Sequence, residues 1–293
     1  MREIKEAVKN LLIERDYEVY ESTGCFDIAG KKDELLLIKI LKNIDSFVLQ
    51  HALSLQSISS ALDAYPFLIG NNTNYEKLVP GVIYERFQIP AMCIETFRMI
   101  LDKEFPEFYR QKGGVYVEID PVALRKARIE NKLSQKQLAN LVGVSSKTIY
   151  MHEKFRLKAS IKIVKKIEKV LGKKVSGKAH VFRKYEFKGK AKDSLEKFVA
   201  KKLNEIGFET YFTYHAPFDV SAKEKEIIIS DIEQDKRKIS YRYKKFAEFV
   251  EFLGLSGAVI TEDYRKECKI PIISKKDLEE VKTKKDFIKL LRN

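Results

Sequence analysis

The stretch DPVALRKARIENKLSQKQLANLVGVSSKTIYMHEKFRLKASIKIVKKIEKVLG, residues 120–172, carries the clearest structural signals in the chain. Asp120 can cap a predicted helix over 121–132, and proline at its first position fits because the N–H that proline lacks has no helical partner there. Ser134 can cap a second helix, Gln135–Val142, in the same way. Both helices therefore begin at residues that favour helix starts.

A short turn leads from the second predicted helix into a third. Gly143 stands where the chain must turn with a positive φ, and Ser145 or Ser146 caps the third helix, which ends near Lys154. A fourth helix, Ile161–Leu171, presents one apolar face and is followed by glycine. We therefore predict that this middle segment is helical throughout. Four residues have the spacing to pack the second helix against the third: Leu138, Ala139, Val144 and Ile149.

Charge is concentrated in the same part of the chain. The formal net charge is +14, and residues 120–175 contain 15 Lys/Arg against 4 Asp/Glu. Residues 1–119 are slightly acidic, with 14 against 18, and residues 176–293 hold 27 against 20. A thermophile surface rich in both signs is the alternative, but it does not account for one segment so poor in acids. A dense positive field indicates a polyanionic partner.

The spacing of polar and apolar residues in this segment resembles the Cro/Xre family of helix-turn-helix repressors. The matching run is Ser134-Gln-x-x-Leu138-Ala139-x-x-x-Gly143-Val144-Ser145-x-x-x-Ile149-x-x-x-Glu153. The resemblance implies that a recognition helix over 146–154 lies in the major groove of double-stranded DNA and that the protein binds as a homodimer. It also implies a buried, structural ion pair between Arg128 and Glu153. Phe155 departs from the glycine common in the family, so the following loop is expected to differ.

The resemblance assigns three kinds of DNA contact. Lys147 suits guanine acceptors, whereas Thr148 or Met151 suits a thymine methyl group. Gln135 occupies a position that contacts backbone or bases in the family. The alternatives are that Lys136, Lys158 and Lys162 are solvated surface, and that Tyr150 and Met151 pack against the first helix. The complete set of implied DNA-binding residues is Gln135, Lys136, Ser145, Ser146, Lys147, Thr148, Tyr150, Met151, Lys154, Arg156 and Lys158.

The segments on either side of the middle segment resemble each other in pattern. Ile4, Val8 and Leu12 recur 191 residues later as Leu195, Val199 and Leu203. A Phe-Asp-apolar triplet then follows in each segment, at 26–28 and at 218–220. Both segments are predicted to run helix, three strands, helix, strand, helix, which indicates a duplicated mixed α/β sheet with helices on its faces.

In each repeat a helix is followed by a strand that ends at an aspartate and then by another strand. This order resembles the PD-(D/E)xK nuclease fold, in which two carboxylates hold Mg²⁺ and a lysine assists the attacking water. Asp27 matches the first carboxylate, but the acid-x-Lys triplet is Leu37-Ile38-Lys39, which lacks the acid. In the second repeat Asp219 is followed by Ile229-Ser230-Asp231, which lacks both partners. Migrated acids could substitute in either repeat, namely Asp33 or Glu34 in the first and Asp231 or Glu233 in the second.

We therefore expect a multidomain α/β plus all-α protein: two restriction-endonuclease-like mixed-sheet domains, both inactive, flanking a Cro/Xre-type domain. The predicted boundaries are 1–119, 120–175 for the helix-turn-helix, 176–192 for a linker, and 193–293. The phrases CFDIAGKKDELLLIKILKNIDSF and VEIDPVALRKARIENKLSQKQLANLVGVS resemble an archaeal family of helix-turn-helix transcriptional regulators.

That resemblance implies transcriptional regulation. The helix-turn-helix implies sequence-specific DNA binding, the missing nuclease ligands predict no enzymatic activity, and the odd number of scattered cysteines fits a reducing cytoplasm. The alternative is a metal-dependent nuclease or DNA-repair protein targeted by the helix-turn-helix. We expect no cofactor. We expect no metal site, because Cys25, Cys93 and Cys268 and the four histidines are scattered, and no membrane segment, because the longest apolar runs have only the length of a strand. The flanking domains could also bind a small effector or a protein partner.

Overall fold

The computed structural model describes residues 1–111, 113–233, 236–262 and 269–292, with the backbone alone for 236–241. Cys268 lies outside the described residues. The chain divides into two compact units. Unit 1 comprises residues 1–41, 46–68 and 182–293, and unit 2 comprises residues 42–45 and 69–181. Most of the second unit, residues 69–181, thus lies in sequence between two segments of the first unit.

The first repeat begins unit 1. Its elements are α1 (Arg2–Ile13), β1 (Glu18–Glu21), β2 (Ile28–Lys31), β3 (Leu35–Asn43), α2 (Leu49–Leu62) and β4 (Tyr65–Asn72), with a 3-10 turn at Ile44–Ser46. The strands are ordered β1-β2-β3-β4, and β1, β2 and β3 pair antiparallel. Val8 and Leu12 of α1 are fully buried, which follows from their spacing along one face of the helix.

The second repeat completes unit 1. Its elements are α8 (Ser194–Glu205), β11 (Glu209–Phe212), β12 (Val220–Lys223), β13 (Ile227–Ile232), α9 (Lys236–Leu253), β14 (Ser256–Thr261), β15 (Ile272–Ser274), α10 (Lys275–Glu280) and α11 (Lys284–Leu290). The strand order is β11-β12-β13-β14-β15, antiparallel up to β13 and parallel beyond it. Val199 and Leu203 of α8 are buried in its core.

The two repeats share strand register as well as element order. Ile28 pairs with Ile38 in the first repeat, and Val220 pairs with Ser230 in the second. Each of these pairs flanks the repeat's aspartate: the N–H of Asp27 donates to the Ile38 carbonyl at 2.8 Å, and the N–H of Asp219 donates to the Ser230 carbonyl at 3.0 Å. The predicted repetition is therefore confirmed from the first helix to the fourth strand. The predicted closing helix follows two additional strands in the first repeat and one additional strand in the second.

Within unit 1 each repeat packs its long helix against the first hairpin of the other. Helix α2 contacts β11, and α9 contacts β1. Phe249 of α9 stacks on Phe218 at 6.2 Å between ring centroids and lies 5.9 Å from Phe26, so one ring joins the triplets of both repeats. The N–H of Cys25 donates to the His215 carbonyl at 2.6 Å. The two repeats thus form a reciprocal pair inside one chain.

Unit 2 combines a small sheet with the helix-turn-helix. Its strands are the end of β4, β5 (Val82–Arg86), β6 (Ile89–Met92), β7 (Phe108–Gln111), β8 (Gly114–Ile119), β9 (Lys158–Ser160) and β10 (Ser176–Gly177), ordered β4-β6-β5-β7-β8-β10 with β9 also on β8. Its helices are α3 (Ile94–Leu101), α4 (Pro121–Glu130), α5 (Gln135–Val142), α6 (Ser146–Lys154) and α7 (Ile161–Leu171).

The helices predicted in the middle segment are present, with α5 and α7 at the predicted bounds. The prediction that the segment is helical throughout is wrong, because β9 pairs antiparallel with β8 between α6 and α7. Phe155 has extended dihedral angles, with φ −129° and ψ 145°, and leads the chain towards this strand. Ala159 is buried against the helical core, whereas its neighbours are half-buried, so the strand has the alternation of a sheet edge.

Among the helices of the described part of the chain, none combines the length and the apolar character needed to cross a bilayer.

Candidate nucleic-acid interface

The turn between α5 and α6 is fixed by local hydrogen bonds. Ser134 and Gln137 form a reciprocal capping box at the start of α5, and Ser145 accepts from the Thr148 N–H at 3.0 Å at the start of α6. Gly143 ends α5 at φ +80°, a conformation that costs glycine little. Leu138 and Ile149 are fully buried between the helices. The angle between α5 and α6 is therefore set by caps, one glycine and a packed core.

A buried ion pair ties α6 to the preceding helices. Arg128 of α4 donates from Nε to Glu153 at 2.5 Å and from Nη2 at 3.0 Å, and its Nη1 donates to the Leu133 carbonyl. Gln135 at the start of α5 donates to the same carboxylate at 2.7 Å. Burial would raise the pKa of Glu153, but these bonds outweigh it and lower that pKa. The paired carboxylate thus holds α4, α5 and α6 in one arrangement.

The residues predicted to face bases lie along α6 with different exposure. Ser146, Lys147 and Tyr150 are exposed, and Tyr150 keeps 45% of its accessible surface. Thr148 and Met151 are half-buried. Thr148 also shares a hydrogen bond with the Ser145 hydroxyl at 2.8 Å. The structure therefore brings Ser146, Lys147 and Tyr150 onto one open face of the helix.

The predicted phosphate contacts fall into two groups. Lys136 is exposed, and so is Lys154, whose ammonium lies 5.8 Å and 5.3 Å from the ring centroids of Tyr150 and Phe155. Arg156 faces carboxylates instead, 3.3 Å from Asp120 and 3.9 Å from Glu118. Its charge is therefore balanced within unit 2.

Lys158 differs most from the exposed lysines. It lies on β9, 2.5 Å from the Glu85 carboxylate, and its ammonium sits 3.9 Å above the Tyr109 ring. Its side chain keeps 20% of its accessible surface. An anion could reach this ammonium only by competing with Glu85.

His152, on the inner side of α6, was not singled out from the sequence. It is 6% exposed, and its Nδ1 has no hydrogen-bond partner among the described residues. Burial lowers its pKa and so favours the neutral ring. The sequence does signal that His152 is buried, because its spacing places it with the apolar core positions of the helix. That spacing does not predict that its Nδ1 lacks a hydrogen-bond partner.

In the first repeat, one aspartate stands where a nuclease would hold its metal. Asp27 accepts from the Ile40 N–H at 2.7 Å and lies 3.2 Å from the Lys39 ammonium, which also donates to the Gly24 carbonyl. Leu37, two residues before Lys39 on β3, is fully buried and brings no oxygen ligand. A divalent ion needs several oxygen ligands, so these residues do not fit the metal that the nuclease fold implies.

In the second repeat the equivalent aspartate lies in a buried cluster of charges. Asp219 accepts from the Ile232 N–H at 3.0 Å, from Lys192 at 2.6 Å and from Arg242 at 2.6 Å. Arg242 also contacts Asp231 and, at 3.3 Å, Glu233. The cluster contains four carboxylates and two cations: Glu196, Asp219, Asp231, Glu233, Lys192 and Arg242.

The charges in this cluster shift the acids in opposite directions. Burial would raise the pKa of Asp219, but Arg242 and Lys192 outweigh it and lower that pKa. Burial and then the charge of Asp219 raise the pKa of Asp231 to about 8. Arg242 and Lys192 occupy the space between the carboxylates, and no three His, Cys, Asp or Glu side chains of the described residues are arranged so that they could hold a metal ion. The second repeat, like the first, does not fit a divalent metal.

Sequence comparisons match both parts of this architecture. A model described as a PD-(D/E)XK superfamily domain matches residues 1–106, and a model described as a helix-turn-helix matches residues 124–177. A protein of Methanothermobacter thermautotrophicus is 32% identical over 301 residues, covering 99% of this chain and 94% of the relative. Proteins of Methanocaldococcus jannaschii and Pyrococcus horikoshii are each 32% identical, covering 92% of this chain and 88% and 90% of themselves. All three are provisionally named HTH-type transcriptional regulatory proteins. This chain belongs to their family.

In this member of the HTH-type regulatory family, the two matched segments correspond to distinct structural features. The nuclease-type match spans α1 to α3, including Asp27 and Lys39, and the helix-turn-helix match spans α4 to α7. The predicted family resemblance is therefore confirmed for both. The charge cluster was only partly visible in the sequence: Asp231 and Glu233 were considered as migrated acids, whereas Arg242 and Lys192 were not considered as their partners.

Proposed function

We propose that this protein is a transcriptional regulator that binds double-stranded DNA sequence-specifically, with α6 in the major groove. The observation that carries the proposal is the open face of α6, where Ser146, Lys147 and Tyr150 are exposed. Ile149 and His152 are buried on the inner side of the helix, and Glu153 ties its C-terminal end to Arg128. A helix that is held in place by its neighbours and exposed along its N-terminal half can enter the major groove and contact base edges. The names of the relatives support the same function.

In this proposal the contacts divide between bases and phosphates. Lys147, at the N-terminal end of α6, donates to guanine, and Tyr150 and Met151 border it. Exposed Lys136 and Lys154 contact phosphates, helped by the N–H groups at the starts of α5 and α6. Gln135, Ser145, Ser146 and Thr148 complete the interface at the two helix starts. Arg156 and Lys158 join it only by leaving their carboxylate partners, so we assign them a smaller contribution.

We further propose that the protein acts in the cytoplasm as a homodimer on two half-sites. A single helix-turn-helix offers few base contacts, and two of them about one turn of DNA apart supply the affinity that a regulator needs. With roughly two to three phosphates neutralised per protomer, log K should fall against log salt concentration with a slope of about −4 to −5.

The test is selection of bound genomic fragments by the full-length protein at low ionic strength, followed by gel shifts on the enriched sequence. Lys147→Ala should lower affinity and relax base preference at one position, a change of about 1–3 kcal/mol. Lys136→Ala should lower affinity equally on all sequences, and Lys197→Ala on α8 is the control, with no change expected. Absence of binding to any duplex, or unchanged base preference in Lys147→Ala, would contradict the assignment.

The alternative, a metal-dependent nuclease, is favoured by the PD-(D/E)XK match over residues 1–106. We propose that the protein is not an enzyme, because Leu37 takes the place of the second carboxylate and Arg242 bridges the acids of the second repeat. Plasmid incubated with the protein and Mg²⁺ or Mn²⁺ should show no nicking beyond that of Asp27→Ala. Nicking that depends on Asp27 would overturn this part of the proposal.

A further inference from the structure

A cavity of about 790 Å³ lies within unit 1, between the two repeats. Its wall comes from α2 of the first repeat, from the segment that precedes α8 and from the hairpin that follows β11. Cavities of roughly 300–1,000 Å³ suit small organic ligands. The lining residues are Gln50, Leu53, Ser54, Phe187, Lys190, Lys192, Tyr214 and His215.

The lining has cations and apolar surface but no carboxylate. Lys190 is exposed, and no ion pair to it occurs among the described residues. Lys192 contributes a second ammonium, and His215 an imidazole. Leu53 and Phe187 supply apolar contacts beside them. Such a lining favours an anion that also carries a hydrophobic body.

The aromatic wall is held in place by backbone contacts. The Tyr214 hydroxyl accepts from the Lys190 N–H and donates to the Lys190 carbonyl at 2.5 Å, which fixes the ring beside the segment that bears both lysines. The Lys192 ammonium lies 5.7 Å from the centroid of that ring. A planar ligand entering here meets a wall that needs no reordering, which reduces the entropic cost of binding.

Lys192 joins the cavity to the charge cluster. Its ammonium lies 2.6 Å from Asp219 and 3.5 Å from Glu196. Burial disfavours its charged form, but the Asp219 carboxylate outweighs burial and raises the pKa of Lys192. The ammonium therefore stays charged at neutral pH, and 40% of its side-chain surface remains accessible.

We propose that this cavity binds a small organic anion with an aromatic body, whose negative group lies beside Lys190, while Lys192 stays paired with Asp219. Its ring packs on Tyr214, Phe187 and Leu53. The site belongs to unit 1 alone and its occupancy can be measured without DNA, so failure of this inference would leave the proposed regulator function untouched.

The probe is 1-anilinonaphthalene-8-sulfonate, whose fluorescence rises in apolar sites, titrated into the full-length protein beside the uncharged N-phenyl-1-naphthylamine. One equivalent of the anionic probe should bind. Lys190→Glu should weaken it by at least about tenfold, because the change removes one charge-assisted contact and puts a carboxylate beside the anion, and it should leave the uncharged probe within twofold. Lys197→Glu, an equal charge change on an exposed lysine of α8, should leave both probes within twofold.

Two further measurements identify the chemical class of the ligand and show that the probe binds in this cavity. AMP and indole-3-acetate should compete with the anionic probe, the first reporting a phosphate group and the second a carboxylate. Leu53→Trp should fill the cavity and weaken both probes, with circular dichroism checking the fold. If Lys190→Glu binds the anionic probe like the wild type, or if neither competitor displaces it, the inference is wrong. The Lys190 result decides the matter even if Leu53→Trp fails to fold.

Discussion

The two repeats of unit 1 place an aspartate at the same position and surround it differently. Asp27 meets one lysine from its own sheet, and its side chain keeps 18% of its accessible surface. Asp219 keeps 6% and meets two cations that lie outside its sheet, Lys192 before α8 and Arg242 on α9. The backbone contacts are nevertheless alike, since Ile40 and Ile232 donate equivalent N–H bonds to the two carboxylates.

This difference shows that the fold and the chemistry of a repeat can change independently. The backbone N–H that donates to the aspartate belongs to the neighbouring strand in both repeats. This hydrogen bond is therefore kept whichever side chains face the carboxylate. The first repeat has a single ion pair at a partly open position. In the second repeat the carboxylates of Asp219 and Asp231 are buried, and partly accessible cations pair with them. Breaking the second network should therefore cost far more stability than breaking the first, because a buried charge that loses its partner is costly and a partly exposed one is not.

Arg242→Ala should have the largest effect on this comparison. It leaves Asp219, Asp231 and Glu233 facing one another with only Lys192 nearby, and breaking a buried pair of this kind costs about 3–5 kcal/mol. Denaturant unfolding of the full-length protein measures the loss, with Lys244→Ala on the same helix as the control. Adding Asp231→Asn to Arg242→Ala should recover part of the loss. A loss no larger than that of Lys244→Ala would show that the network is not stabilising.

The second-largest difference between the repeats should be in how the free energy of unfolding depends on pH. The pKa of Asp231 is about 8 in the folded protein, well above that of an unfolded aspartate near 4. Between these values the folded state keeps a proton that the unfolded state has released, so this residue makes the free energy of unfolding fall as pH rises, with no further change above pH 8.

Asp231→Asn removes that contribution. The variant should therefore gain stability relative to the wild type as pH rises from about 4 to about 8. Chemical unfolding at several pH values measures the difference, and Asp33→Asn, an exposed acid of the first repeat, is the control. A constant difference between Asp231→Asn and wild type across this range would refute the assignment of a buried, protonated carboxyl group.

Lys39→Ala should have the smallest effect. Asp27 keeps its bond from Ile40 and partial access to water, so losing the lysine should cost only about 1 kcal/mol. Thermal unfolding of Lys39→Ala beside Lys32→Ala, an exposed lysine of the same hairpin, measures it. A loss comparable to that of Arg242→Ala would mean that the two repeats depend equally on their ion pairs, and the contrast drawn here would fail.

The helix-turn-helix could be predicted closely because its signals are local. Ser134, Gly143 and Ser145 each act on backbone groups within a few residues, and the caps and the turn appear where they were expected. The Arg128–Glu153 pair was foreseen only through the family resemblance, since nothing in their separation along the chain requires contact. The repetition of the flanks was also readable, because buried positions such as Val8 and Val199 recur at one interval.

What the sequence did not predict depends on contacts between distant parts of the chain. Strand β9 forms because β8 offers it an edge, and three residues carry too little alternation to signal that pairing. Lys158 looked like a solvated or DNA-facing lysine until Glu85, distant in sequence, was placed beside it. The charge cluster could not be predicted for the same reason, because Lys192 lies far before Asp219 in the sequence and Arg242 lies far after it.

The reciprocal packing of the repeats has a consequence for how the chain is made. The ring of Tyr20 lies against Phe249 at 4.9 Å between centroids, and Lys31 donates to the Leu253 carbonyl at 2.9 Å. The first hairpin therefore leaves the ribosome long before the helix that covers it has been synthesised. The core contacts of residues 120–172 are mostly between residues close in sequence. This segment can therefore fold before the helix that covers the first hairpin has been synthesised. During synthesis the nascent chain would then carry a formed helix-turn-helix beside an uncovered aromatic surface.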